Sequence, residues 1–149
     1  MEQKKFDVKD VKVYRTKEGT MFEIAVALVL IIAWVISFCF EWTKPLEFFG
    51  IHLHTLALSL TAIFLTVCAY HPRFIHLNNK RSGGFTNIRQ VEIAIRMVRV
   101  IAVELALLVL VLNILSVRGI DMSELVGVPF VIVIIATSLC FSFLAHKAK

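Results

Sequence analysis

The sequence predicts an all-α membrane protein with four transmembrane helices in an up-down-up-down bundle and both termini in the cytoplasm. Three observations predict it. Between Met21 and His146 lie four apolar stretches, each near the roughly 20 residues a helix needs to cross hydrocarbon. Ionisable residues fall almost wholly outside those stretches. The basic residues that flank them are distributed very unevenly between the two sides.

The spans read from the sequence are 21–42, 51–70, 97–117 and 125–145. Residues 1–20 form an N-terminal cytoplasmic segment, 21–146 one transmembrane domain and 147–149 a cytoplasmic tail. A soluble domain of 149 residues has no need to gather a 58% hydrophobic composition into such runs. Span one is too long for the apolar core of a signal peptide, so it is expected to stay as an uncleaved anchor.

The charge count sets the orientation. Lys4, Lys5, Lys9, Lys12, Arg15 and Lys17 precede span one. Arg73, Lys80, Arg81, Arg89, Arg96 and Arg99 join span two to span three, and Lys147 and Lys149 end the chain. Only Lys44 and Arg118 fall in the other two loops. The positive-inside rule then places the termini and the 71–96 connection in the cytoplasm. Loops 43–50 and 118–124 are short, which makes successive spans antiparallel neighbours. Trp42, Phe48 and Phe49 fall at the outer boundary, where an aromatic belt is expected. The net charge of +5 follows the membrane ends rather than forming a nucleic-acid surface, so no nucleic-acid partner is expected.

Element by element, Thr20 and Glu23 have capping-box spacing and are expected to start span one. Ala33/Ser37, Ala57/Thr61 and Ala102/Ala106 have the small-xxx-small spacing that permits close helix approach. Pro72 ends span two. The following HPRFIHLNNKRSGGFT reads as loop, broken by Gly83 and Gly84. Asn87 and Gln90 form a second capping-box pattern, so the third helix starts near 87 and runs to about 116. At 1.5 Å per residue that is about 45 Å, longer than the hydrocarbon, so its first turns protrude or tilt. On those turns Arg89, Glu92, Arg96 and Arg99 form a polar stripe, with Glu92 and Arg96 in the favourable i, i+4 order. Pro129 is expected in the first turn of span four, where proline is tolerated.

Candidate chemistry centres on Glu104, an acid inside VIAVELALLVLVLN. A carboxylate at membrane depth is costly and faces a protein interior or a water path. Alignment of the spans by depth sets Thr61, Thr137 and Ser138 level with Glu104, on the cytoplasmic side of centre. Ser37, His54 and Asn113 form a second polar layer towards the outside. The competing reading for each hydroxyl is a bond to its own helix or to a neighbour, and for Asn113 an interhelical bond.

Cys39, Cys68 and Cys140 form no CxxC and read as small packing residues. His52 and His54 share the outer end of span two, while His71, His76 and His146 lie beyond inner ends. No two spans therefore offer histidines at one depth for a bis-histidine haem. No metal or cofactor is expected, and no hydrolase, phosphate-loop or paired-carboxylate signature is present.

The expected function is that of a small non-enzymatic accessory or interaction subunit of a bacterial inner membrane. Its partner would be a larger membrane protein or a second copy of the chain. The alternatives are a small oligomeric transporter or channel using Glu104 as a proton or ion site, and a quinone- or haem-binding anchor, which the histidine placement disfavours. Arg73, Lys80, Arg81, Arg89, Arg96 and Arg99 are the expected contacts with anionic headgroups or a partner.

Overall fold

A computed structural model describes residues 13–41, 48–71, 75, 87–118 and 123–148. Among these are four α-helices: α1 (Lys17–Glu41), α2 (Phe48–Cys68), α3 (Ile88–Val117) and α4 (Ser123–Lys147). Three carry stretches long and apolar enough to cross a membrane, over Lys17–Cys39, Ile88–Val117 and Val126–Lys147. The corresponding stretch of α2, Leu53–Cys68, is shorter. Arg73, Lys80, Arg81, Pro72 and Trp42 lie outside the described residues, as do the side chains of Phe48, Phe49 and His52.

Helix α3 is the hub. It packs on α1, α2 and α4, while α1 and α2 meet over a smaller area. The sequence accounts for this, because α3 has small or branched apolar residues on more than one face. Val26, Leu30 and Ala33 of α1, Ala62 of α2, and Ala102, Ala106 and Val109 of α3 form one buried cluster. Four of these seven are alanines, which lets helix backbones approach closely. A second cluster joins the end of α2 to the start of α3, through Cys68, Ala69, Ile75, Val91, Ala94, Ile95 and Val98.

Helix α4 is different. Among its described residues only Ala145 is buried, and Val131, Ile132, Ile135, Leu139 and Phe143 point outward. Hydrogen bonds among the described residues tie it and the turn after it to α3 and the α3 cap. Asn87 Nδ2 donates to the Ala148 carbonyl (2.8 Å), Gln90 Nε2 to the Ala145 carbonyl (3.1 Å), and Thr137 Oγ1 to Glu104 Oε1 (2.6 Å).

The cap of α3 forms where the sequence places it. Asn87 is extended (φ −150°, ψ 166°), and its side chain accepts from the Gln90 amide at 3.0 Å. The cap of α1 does not. Thr16, not Thr20, accepts from the amide three residues on, at Gly19 (3.0 Å), so the helix begins one turn earlier than expected. Glu23 is therefore inside the helix and caps nothing. Its Oε2 pairs with Arg15 (2.8 Å) and its Oε1 accepts from the Tyr70 hydroxyl. A threonine stands at either end of that turn, and Glu23 gives Thr20 the box pattern although Thr16 makes the cap.

Other local expectations shift for similar reasons. Because α4 starts at Ser123, Pro129 lies in its second turn rather than its first, and its missing N–H falls within the helix. Arg96 pairs with Glu18 across to α1 (3.1 Å) instead of with Glu92 one turn back. Arg99 leaves the exposed stripe and is buried, since it sits at the stripe's edge beside Ile95. Ala33/Ser37 and Ala102/Ala106 are buried as small-residue contacts, but Ala57 and Thr61 face outward. Cys68 packs inside, whereas Cys39 and Cys140 are exposed free thiols and not packing residues.

Candidate functional site

Two groups of polar side chains lie within the helical core. The first spans α1, α2 and α3. Asn113, 1% exposed, donates through Nδ2 to the Ala33 carbonyl of α1 and accepts at Oδ1 from the Thr55 hydroxyl of α2, both at 2.9 Å. One amide thus joins three helices. The Trp34 indole N–H donates to Ser59 Oγ at 3.2 Å, a further α1–α2 link, and Ser37 is fully buried nearby in sequence.

The expected outer layer of Ser37, His54 and Asn113 is therefore only partly assembled. Asn113 and Ser37 point inward, but His54 is exposed and its neighbour Thr55 takes the inward position. A step of one residue turns a side chain by about 100° on a helix, so a depth alignment good to two residues cannot choose between them.

The second group lies at the α3–α4 contact. Thr137 donates to Glu104 Oε1 at 2.6 Å, a short bond of the kind carboxylates accept. Glu104 Oε2 is buried and has no hydrogen-bond partner, and among the described residues it is the only side-chain oxygen or nitrogen in that condition. Thr61 does not join this group. It is exposed and donates to the Ala57 carbonyl of its own helix at 2.8 Å, the back-bonding typical of threonine in membrane helices. Ser138 is half-buried beside Thr137.

Glu104 and Thr137 together can hold a proton or coordinate a small cation weakly. They form no nucleophile–base pair, and no cluster of three His, Cys, Asp or Glu suited to a metal occurs among the described residues. The cost of an unpaired carboxylate oxygen away from water is cancelled only by a proton, a cation or a donor from elsewhere.

A third group, which the sequence did not suggest as a unit, lies where α1 begins and α2 ends. It contains Arg15, Glu23, Tyr70 and Arg99, with the Arg99 guanidinium 5.7 Å from the centre of the Tyr70 ring. The local signal was the burial of Arg99 against Gly19, visible only once α1 and α3 are in place. Of the other expected basic contacts, Arg89 is exposed and Arg96 is paired with Glu18.

Comparison of the chain with family models, with curated proteins and with solved structures gave no match.

Proposed function

We propose that this chain is a small, non-enzymatic integral membrane protein that works through helix packing, as an accessory subunit or as a homo-oligomer. The observation that carries this reading is the use made of interior polar groups. Asn113, Thr55, Trp34, Ser59 and Thr137 all bond to a neighbouring helix. Such bonds fix helix register in hydrocarbon, where greasy side chains alone discriminate poorly. The outer surface offers further helices a place to dock, with the face of α4 turned from α3 exposed and Ala57 and Thr61 turned outward on α2.

The proposed layout is up-down-up-down, with both termini on the cytoplasmic face of a bacterial inner membrane. The distribution of Lys and Arg supports the orientation. Cross-helix bonds support the alternation, since the start of α3 meets the end of α4 and the end of α2 meets the first part of α1.

The exposed thiols Cys39 and Cys140 provide a test. A membrane-permeant bifunctional thiol reagent applied to native membranes is expected to give one defined adduct that disappears in the Cys39→Ser, Cys140→Ser double variant. Absence of any defined adduct counts against a stable neighbour.

Glu104 favours a second reading, a proton- or ion-coupled transporter built from several copies. Its unpartnered Oε2 is what that reading requires. Under it, Glu104→Gln abolishes flux in proteoliposomes while the protein still folds, because the amide oxygen can keep the bond from Thr137. Unchanged flux removes the coupling role.

A further inference from the structure

We infer that Arg99, seated against the first turn of α1, forms a binding site for a phosphate group at the membrane surface. Arg99 is only 6% exposed, yet no hydrogen bond or carboxylate partner accompanies its guanidinium among the described residues. It lies over the Tyr70 ring at 5.7 Å, a contact that orients the plane but neutralises little charge. The two acids in the first turns of α1 are engaged elsewhere. Glu23 is held by Arg15 and the Tyr70 hydroxyl, and Glu18 is held by Arg96.

The other wall of the site is the N-terminus of a 25-residue helix. A β-carbon on Gly19 would lie 2.6 Å from Arg99 Nη2, so the guanidinium touches the backbone there. The Gly19 N–H is satisfied by Thr16, but those of Lys17 and Glu18 at the head of the helix have no intrahelical acceptor. Free N–H groups, the positive end of a helix dipole and an unpaired guanidinium all favour an anion. The planar fork of arginine matches two phosphate oxygens at once. Carboxylate ligands share part of this chemistry, but phosphate is the anion concentrated where a membrane helix emerges.

This inference rests on the membrane reading, and one experiment separates the two. The full chain is reconstituted in phosphatidylcholine vesicles with or without phosphatidylglycerol, and in detergent with or without inorganic phosphate. Insertion is scored by resistance to carbonate extraction, and bound lipid by native mass spectrometry. The expected result is retained phosphatidylglycerol in the parent and in Arg118→Gln, an exposed arginine at the opposite end of α3. In Arg99→Gln retention should fall on the order of tenfold, the loss of one charge-assisted contact.

Should Arg99→Gln fail to fold, Gly19→Ala gives the same answer. It raises helix propensity but places a methyl group where the guanidinium sits. Stabilisation by inorganic phosphate with no lipid preference, lost in either variant, assigns the same site to a soluble phosphate. Equal retention in all four proteins, with no phosphate effect, overturns the site. Failure of the parent to insert overturns the membrane reading, and the phosphate arm in detergent still tests Arg99.

Discussion

Asn113 shows how much one side chain can organise in a bundle of apolar helices. Its amide carries both a donor and an acceptor, and each reaches a different helix. Replacement by Leu keeps the volume but strands the Thr55 hydroxyl in the core. The expected cost is about 1–3 kcal/mol, read as lower thermal stability in detergent. Thr55→Val, which removes the stranded partner as well, should restore part of that loss in the double variant. Glu104 is the contrasting case. One oxygen does the work of Asn113 by binding Thr137, and the other has no hydrogen-bond partner among the described residues. Both residues stand out in the sequence because polar groups are rare in spans. Their partners were legible unequally. Thr137 has the right depth and the right face, whereas depth alone does not separate Thr55 from its neighbour His54, since it does not fix helix rotation.

At the level of elements, α3 and α4 illustrate two ways of holding a helix. Helix α3 is held by close packing, with Ala102 and Ala106 almost without exposed surface against α1 and α2. Ala106→Leu has no room to enter and should destabilise the protein by about 1–3 kcal/mol, measured by unfolding in mixed micelles. Helix α4, with Ala145 as its one buried residue among those described, adds polar links to α3 to a shallower apolar contact. Gln90→Leu removes one of them and leaves most of the other packing untouched. Faster amide hydrogen exchange confined to the last two turns of α4 is the expected outcome, and uniform change across all helices would contradict it. The ends of these elements were legible where the signal was local, as at Asn87 and Gln90. They were not legible where two equivalent residues competed, as with Thr16 and Thr20, or where rotation placed a charge inside, as with Arg99.

At the level of the molecule, three apolar helices of membrane-crossing length point to membrane integration. That much was readable from hydropathy, because a 20-residue apolar run is nearly its own structural prediction. The hub arrangement around α3 was not readable, since short loops specify which helices are neighbours in sequence but not which one occupies the centre. With α4 at the edge, the molecule presents a broad apolar surface that lipid, a partner helix or a second copy can cover. The proposed function predicts that a protein covers part of it. Purification from native membranes in a mild detergent, followed by mass measurement with the detergent contribution subtracted, tests this most directly. The account predicts either a stoichiometric partner or an integer multiple of the 16.9 kDa chain. A monodisperse 16.9 kDa monomer without a partner would contradict it.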